Sequence, residues 1–302
     1  MHLLPSKNTH KYFRGNLHGH SNHSDGVLNP QEVVSKYKEI GYDFTCLSDH
    51  LWKGSKFAAE TVLETKNLNQ RDFITIPSAE LHCKGKKYIR DGLWHIVANG
   101  LPLEFQCADE EETAPHLVQR AIEAGAFVTI AHPEWYSLTF DECLSLSHAH
   151  GIEIYNHSCH IEAQRGFGTA AADYLLQENN RIFLTATDDS HFKMQDCGGG
   201  WVMVAADKLS ESSILNALKN GQYYSSTGVE IFEFEINNYQ VNIQCSPSNQ
   251  VCVVGQGAKS MSQNGKNITQ AEFDLKKYPS DWFRVSIAND SGNFAWTNPV
   301  WL

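Results

Sequence analysis

The stretch FRGNLHGHSNHSDG at residues 13–26 joins an apolar, strand-like start to a cluster of imidazole and carboxylate side chains. His18 and His20 are two residues apart, so on a continued strand their side chains leave the same face and can converge on one ion. Asp25 follows in a loop that ends at a glycine. Neutral imidazole and carboxylate are the ligands that hold Zn, Mn or Fe in proteins. The stretch therefore predicts a strand whose carboxyl end carries a metal site.

The residues that follow predict a helix and begin a repeating pattern. Asn29 can cap this helix, and Glu32 completes a capping-box spacing. Pro30 suits the first helical position, and Gly41 can end the helix in a left-handed conformation. Up to about residue 228, apolar runs alternate with amphipathic ones, which predicts parallel β/α units. The seven predicted strands are Phe13–His18, Asp43–Leu47, Phe73–Pro77, Trp94–Asn99, Ala126–Ala131, Gly151–Tyr155 and Arg181–Thr185, with helices near 30–40, 55–70, 114–124, 139–149, 162–178 and 210–220.

Two further segments depart from this pattern. The stretch LHCKGKKYIRDGL at residues 81–93 lacks a helical apolar stripe, so it is predicted to be an excursion or hairpin beside the site. After Gly228 the sequence alternates apolar and polar residues between turn signals, which predicts an antiparallel, sandwich-like β module over 229–302. The module contains no histidine, so it is separated from the metal chemistry. It is expected to pack as a cap on the β/α part of the chain or to provide a contact for a homo-oligomer.

Composition limits the kinds of partner. The chain has fifteen histidines in 302 residues and a formal net charge of −11. That charge argues against a surface that follows the phosphates of duplex nucleic acid, but bound divalent metals would make a pocket positive enough for a small anionic substrate. The N-terminal residues lack a secretory h-region, and no apolar run reaches the length of a membrane span, so a cytoplasmic protein without a membrane partner is expected. The eight cysteines form no CxxC pair and are expected to be reduced, the alternative being a Cys245–Cys252 bridge across a hairpin.

The candidate ligands follow the predicted strands, where the loops of a β/α barrel build an active site. They are His18, His20, Asp25, His50, Glu80, His95, His132, Asp189 and His191, with Asp49 beside His50. Several have an ordinary alternative. His95 can be a core histidine, Asp25 can cap an Asp-Gly turn, and His132 can be a turn residue before a proline. Asp188 competes with Asp189, but strand alternation places Asp189 on the side of His191.

Five motifs in order give the chain a family resemblance over about residues 13–228. HGHSNHSDG, SDH at 48–50, Glu80 after ITIPSA, AHP at 131–133 and DSH at 189–191 resemble the successive motifs of the PHP (polymerase and histidinol phosphatase) superfamily. Shorter pieces, NGQYYSSTGVE and AWTNPVWL, are similar to its CehA/McbA-type metallohydrolases. The resemblance implies a distorted seven-stranded β/α barrel that holds two or three divalent ions.

The resemblance also implies how the ligands are shared. His18, His20, Glu80 and Asp189 would surround one metal ion, with Glu80 bridging to a second ion held by His95 and His132. A third ion would be held by Asp25, His50 and His191. Asp25 stands where some relatives carry histidine, which favours harder ions such as Mn or Fe over Zn there and puts occupancy of the third position in question.

A metal-bridging hydroxide is then expected to attack a phosphorus or carbonyl centre. Glu80 would take part in catalysis as the carboxylate shared by the two ions that hold this hydroxide. His191, His50 or Asp49 would assist the leaving group, although Asp49 can instead support the ligands. The candidate substrate contacts are Arg90, Arg165, His157 and His160, and Trp52 and Trp135 are candidates for a pocket wall. His23 and His82 are expected to lie behind the ligands or face solvent.

Three functions are compatible with this pattern. The leading one is a phosphoesterase acting on a small phosphorylated metabolite or nucleotide. The second is hydrolysis of a carbamate, ester or amide by the same site. The third is a non-catalytic metal-binding scaffold, which a set of ligands with open positions disfavours.

Overall fold

A computed structural model of the chain describes residues 2–4, 11–86, 92–178 and 180–302. The described helices are short, and all of them lie in the first 220 residues. They are α1 (Pro30–Glu39), α2 (Ala114–Glu123), α3 (Phe140–Ser145), α4 (His157–Ala163), α5 (Thr169–Gln177) and α6 (Glu211–Lys219). At the first of them, Asn29 and Glu32 form the predicted reciprocal capping box. None of the described helices is both long and apolar enough to cross a membrane.

The described strands are joined by pairing into one extended sheet. In its first part the strands are β1 (His2–Leu4), β2 (Tyr12–Asn16), β3 (Phe44–Leu47), β4 (His50–Leu51), β5 (Ile74–Cys83), β6 (Trp94–Asn99), β7 (Phe127–Ile130), β8 (Gly151–Asn156), β9 (Phe183–Thr187), β10 (Trp201–Ala205) and β11 (Tyr223–Ser226). The second part comprises β12 (Ile231–Asn237), β13 (Gln240–Gly255), β14 (Ser260–Asp274), β15 (Trp282–Ala288), β16 (Phe294–Thr297) and β17 (Val300–Trp301). The fold is therefore a mixed α/β one.

Strands β2 to β9 place the candidate ligands on neighbouring segments. Pairing is parallel from β2 to β3 to β5 and again from β7 to β8 to β9. The loop after β9 returns to the loop after β2, where the Asp189 amide donates to the His18 carbonyl and the His20 amide donates to the Ser190 carbonyl, each at 2.8 Å. The residues that follow the first and last of these strands are thereby brought side by side.

The expectation of parallel pairing for all the predicted strands is wrong at β6. Strand β5 continues through Cys83, and β6, which begins at Trp94, pairs with it antiparallel, as expected for the hairpin that the sequence analysis gave as one alternative. Residues 87–91 lie outside the described part of the chain. Strand β7 then pairs antiparallel with β6. Glu80 and His95 consequently lie on two adjacent strands of one hairpin.

Two predicted helices are also wrong in extent. In place of the helix near 55–70 there is only a 3-10 turn at Lys66–Leu68. The Ala59 amide donates to the His50 carbonyl, so pairing with the strand end replaces helical hydrogen bonds there. The helix near 162–178 divides into α4 and α5. A Cβ atom at Gly166 would lie 2.5 Å from the Asn156 carbonyl oxygen, so the chain between these helices passes too close to β8 for a side chain.

The C-terminal β region has its own apolar cluster, which includes Phe234, Val253 and Phe283. Strand β16 pairs with β11, and β1 pairs with β12, so hydrogen bonding is continuous with the first part. Trp282 and Trp296 belong to the large cluster of the first part. All eight cysteines are free thiols, and Cys245 and Cys252 lie on the same strand, β13, so the alternative of a bridge between them is wrong.

Candidate metal centre

Glu80 lies at the centre of the predicted ligands. Its Oε1 atom is 2.7 Å from His95 Nδ1 and 3.1 Å from His132 Nε2. Its Oε2 atom is 2.7 Å from His50 Nδ1 and 3.5 Å from His18 Nε2. Burial alone would raise the pKa of Glu80, but the surrounding imidazoles, His50 first among them, hold it well below its usual range. The single ionised carboxylate of Glu80 thus has imidazole nitrogens near both of its oxygen atoms.

A second carboxylate, Asp189, closes the inner part of the cluster. Its Oδ1 atom is 3.0 Å from His20 Nε2 and 3.2 Å from His18 Nε2. Asp189 has a positive φ of 54°, an uncommon conformation for a residue with a side chain, and such local strain is often found at functional sites. The neighbouring Asp188 carboxylate accepts hydrogen bonds from the amides of Gly198, Gly199 and Gly200, so of the two aspartates it is Asp189 that meets the histidines.

An outer group forms around Asp25. Its Oδ1 atom is 3.3 Å from both His50 Nε2 and His191 Nε2, and the ring of His20 stacks on that of His191 with centroids 4.1 Å apart. Burial would raise the pKa of Asp25, but the neighbouring imidazoles of His191 and His50 lower it far below its usual value. Burial and the charges of His191 and His50 lower the pKa of His20 to about 3, so this imidazole is neutral. Neutral imidazole is the form that binds metals.

The described residues provide several overlapping sets of three or four donor atoms lying within 4.8 Å of one another. These sets are His20, Asp25, His50 and His191; His18, His20 and Glu80; His18, His132 and Asp189; His50, Glu80 and His82; and Glu80, His95 and His132. All nine of the predicted metal ligands are therefore brought together. Mixed nitrogen and oxygen donors of this kind suit Zn, Mn or Fe.

Unpaired buried atoms test whether a cation fits. His18 Nε2, Glu80 Oε2 and Asp25 Oδ1 are buried without a hydrogen-bond partner among the described residues. The Nδ1 atom of His18 is 2.7 Å from Glu153 Oε1, so a neutral His18 donates there and turns the lone pair of Nε2 toward Glu80 and Asp189. Acceptors that face one another in a buried site are unfavourable unless a cation lies between them. The donor set fits divalent ions.

One supporting residue, Glu153, escaped the sequence analysis, and a second, His82, takes one of the two positions expected for it. Glu153 is the one charged residue of β8, and besides His18 it accepts a hydrogen bond from the His132 amide at 2.7 Å. A lone Glu inside the apolar run GIEIYN was the available signal. His82, expected behind the ligands or in solvent, is buried, with its Nδ1 atom 3.0 Å from the Trp94 carbonyl and its Nε2 atom 2.8 Å from His50 Nδ1. Carboxylates and carbonyls that fix imidazole tautomers in this way tune metal ligands.

Asp49 is buried away from the cavity. Its carboxylate accepts hydrogen bonds from the amide and hydroxyl of Ser21 and from those of Ser24, at 2.7 to 3.2 Å. This geometry favours the expectation that Asp49 supports the ligand loop over the expectation that it assists the leaving group. Burial raises the pKa of Asp49.

The candidate ligands open onto a cavity of about 260 Å³. Besides Asp25, His50, Glu80, His95, His132, Asp189 and His191, its lining includes Trp135, Ser158, Cys159, Glu162, Lys193, Met194 and Asp196. Lys193 was not considered in the sequence analysis, although it follows the DSH motif by two residues. Its Nζ atom is 2.7 Å from Asp25 Oδ2.

The predicted substrate contacts do not line this cavity in the described part of the chain. Arg165 is exposed on the loop between α4 and α5. His157 and His160 line a separate cleft of about 450 Å³, together with Phe167 and Phe294. They lie on the other face of α4, because consecutive helical residues point in different directions and Ser158 and Cys159 face the first cavity. Arg90 lies outside the described residues.

The chain was compared with protein families, with curated proteins and with solved structures, and only the solved structures gave matches. No protein-family model matches the sequence, and no curated protein matches it. A two-domain protein from Bacteroides vulgatus ATCC 8482, containing a predicted PHP-like metal-dependent phosphoesterase, has a similar structure, with a TM-score of 0.55, 17% identity and 98% of each chain covered. This likeness spans both parts of the chain and shows a shared fold.

Two further structures overlap with 59% of this chain and 87% of their own. One is a protein from Bifidobacterium adolescentis ATCC 15703 assigned as a metal-dependent phosphoesterase, with a TM-score of 0.41 and 13% identity. The other is an amidohydrolase from Chromobacterium violaceum with bound sulfate and no metal, with a TM-score of 0.44 and 15% identity.

Proposed function

We propose that this protein is a metal-dependent phosphoesterase that hydrolyses a small phosphorylated metabolite or nucleotide. The observation that carries the proposal is the position of Glu80, whose two carboxylate oxygens face different groups of imidazoles at the base of a cavity. A carboxylate that faces two groups of imidazoles could be shared by two ions at the close spacing of two-metal hydrolytic sites. The shared fold and the ordered motifs support a PHP-type barrel over 1–228 with a β module over 229–302.

The proposed ligands follow the donor sets. His18, His20, Glu80 and Asp189 would hold one ion, Glu80 with His95 and His132 a second, and Asp25, His50 and His191 a third. Divalent ions in these positions would supply a water of lowered pKa as nucleophile and would polarise the bond that is attacked. The remaining residues orient these ligands: Glu153 fixes His18, and Asp49 fixes the loop that carries Asp25.

The outer group has two possible uses. His191 Nε2 lies 3.3 Å from Asp25 Oδ1 at the edge of the cavity. Without a third ion, Asp25 would hold a protonated His191 there, and this imidazolium would deliver its proton to the leaving oxygen. With a third ion, His191 and Asp25 would be ligands, and the proton would come from solvent. Metal stoichiometry decides between the two.

Metal replacement tests the function. Protein freed of metal by chelation is reloaded separately with Zn, Mn and Fe, its ions are counted by mass spectrometry, and it is assayed on phosphomonoesters, small phosphodiesters, carboxylic esters and carbamates. We expect two or three ions per chain and hydrolysis of phosphoesters that depends on them. Hydrolysis confined to carbamates or carboxylic esters would favour the carbon-centred alternative. One tightly held ion with no hydrolysis would favour a metal-binding scaffold.

A further inference from the structure

The cavity differs in character on the two sides of Glu80. On the side of Glu80 Oε2, His50 leads to Asp25, which is paired with Lys193. On the side of Glu80 Oε1, the ring of Trp135 lies edge-on to two imidazoles, with its centroid 5.7 Å from that of His95 and 5.2 Å from that of His132. One side of the cavity therefore contains the ammonium group of Lys193 and the other the ring of Trp135; these are called the cationic side and the aromatic side.

Lys193 is the only Lys or Arg in the lining formed by the described residues. Its side chain is 47% exposed, and the structure shows one of its N–H groups engaged, by Asp25 Oδ2. The other oxygen of Asp25 faces His50 and His191, so Asp25 holds the ammonium beside the outer group of candidate ligands. An ammonium has three donors, so those not used by Asp25 remain for an anionic oxygen in the cavity.

The size and charge of the rest of the lining restrict the ligand further. Trp135 is partly buried and offers an apolar flat surface, on which aromatic rings of a ligand pack favourably. Glu162 is exposed on the same lining and would repel a second anionic group. A cavity of about 260 Å³ is at the small end of ligand sites, so it suits a small molecule and not a polymer.

We propose that the substrate is a small molecule with one phosphoryl group and one flat ring, the phosphoryl group bound by Lys193 and the ring packed on Trp135. The inference rests on the proposed function and specifies its substrate class. Lys193 takes the place that the sequence analysis gave to Arg165. Trp135 sets the preference among phosphomonoesters.

The cationic side is tested by binding, without turnover. Inorganic phosphate is titrated calorimetrically into the metal-loaded full chain and into K193Q, whose amide can still donate to Asp25, and K193R, which keeps the charge. Metal content is measured in each. We expect the Kd to rise about tenfold in K193Q and less than about threefold in K193R, because charge is the main contribution of a lysine to phosphate binding. K38A, which removes a lysine from an exposed pair with Asp72, is the matched control.

Unchanged phosphate affinity in K193Q at equal metal content would overturn the role of Lys193. Equal weakening in K193Q and K193R would also overturn it, because charge would then not be the determinant.

The aromatic side is tested by comparing 2-phenylethyl phosphate with butyl phosphate, whose leaving groups are similar alcohols. We expect native protein to prefer the phenyl compound about tenfold in kcat/KM, W135F to keep the preference, and W135A to reduce it to about twofold, mainly through KM. F140A, which removes an exposed aromatic ring from α3, is the control. Equal losses on both compounds in W135A would show a general structural role and overturn this part.

The two proposals fail differently. If native protein hydrolyses no phosphoester yet binds phosphate through Lys193, the proposed function fails and the cationic side is supported. If it hydrolyses phosphomonoesters while both sets of variants behave like native protein, the function stands and the substrate inference is overturned.

Discussion

The candidate centre is organised by hydrogen bonds that fix which nitrogen of each imidazole is free. The Trp94 carbonyl takes the Nδ1 proton of His82, which leaves His82 Nε2 as an acceptor for His50 Nδ1. The Nε2 atom of His50 then keeps its lone pair and faces Asp25 Oδ1. Glu153 likewise accepts the Nδ1 proton of His18, which leaves His18 Nε2 free to bind an ion. Orientation by such partners commonly contributes 10- to 100-fold in metal affinity.

Glu80→Gln tests the bridge at this scale. The amide keeps the shape but removes the negative charge that two sides of the cluster share, so we expect at least one ion per chain to be lost and hydrolysis to fall by about 100-fold or more. Mass spectrometry of metals and phosphate-release assays measure both. Glu39→Gln, at an exposed position on α1, should change neither. Full retention of metal and activity in Glu80→Gln would remove the central assignment.

His82→Phe tests the tautomer relay. Phenyl cannot accept the His50 proton, so the apparent metal Kd should rise about 10- to 100-fold, while His82→Gln, which offers an acceptor oxygen, should recover most of the affinity. Competition with a chromophoric chelator measures the Kd. His116→Gln on the exposed face of α2 is the control. A Gln variant as weak as the Phe variant would show that packing, and not hydrogen bonding, is what His82 contributes.

At the scale of elements, helices and strands are locked together by a few buried polar contacts. Arg284 on β15 forms a bidentate pair with Asp173 on α5, with both nitrogen–oxygen distances 2.8 Å and the arginine side chain 3% exposed. Asn298 accepts from the Leu184 amide and donates to the Tyr223 carbonyl. These contacts join the C-terminal strands to the part that carries the candidate ligands.

Arg284→Met should lower the free energy of unfolding by about 2–3 kcal/mol, since it leaves Asp173 partly buried without its partner. Urea unfolding measures the change. Adding Asp173→Asn to that variant should recover part of the loss, because no carboxylate is then stranded. Lys36→Met, which breaks an exposed pair with Glu39, should cost less than about 0.5 kcal/mol. Additive losses in the double variant would mean that the pair does not interact.

His150, just before β8, predicts a pH effect away from the ligands. Its Nδ1 atom accepts the Val128 amide at 3.1 Å, and burial, with help from the charge of Lys219, lowers its pKa. In the unfolded chain the imidazole takes up a proton below about pH 6.5, which the folded chain resists. The free energy of unfolding should therefore fall as pH decreases below about 6.5.

His150→Asn keeps an acceptor but does not titrate. In metal-free protein, the difference in unfolding free energy between native chain and variant should shift in favour of the variant between pH 8 and pH 5. Because all other titrating groups are common to both proteins, the difference isolates His150. Parallel stability curves in urea would contradict the prediction.

At the scale of the whole molecule, one hydrogen-bonded sheet connects the strands that carry the candidate ligands with the C-terminal strands. We expect chelation to lower the melting temperature by about 5–10 °C, because ions that bind only the folded chain stabilise it by about 3 kcal/mol at a hundredfold excess over Kd. Calorimetry should show one transition with and without metal. Two transitions, one of them with a melting temperature that chelation does not change, would contradict the prediction that the chain unfolds as one unit.

The sequence by itself determined the chemistry of the candidate site, because ligand identity and strand-end position depend on local patterns: the His18–His20 spacing, the capping box at Asn29 and the separated motifs were all visible. Only the tertiary structure decided the rest, because it depends on contacts between distant residues. Pairing of Ala59 with His50 replaced a predicted helix, and the direction of α4 turned His157 and His160 away from the cavity. Packing likewise brought Glu153, His82 and Lys193 to the ligands, since no local pattern states which residues meet across a fold.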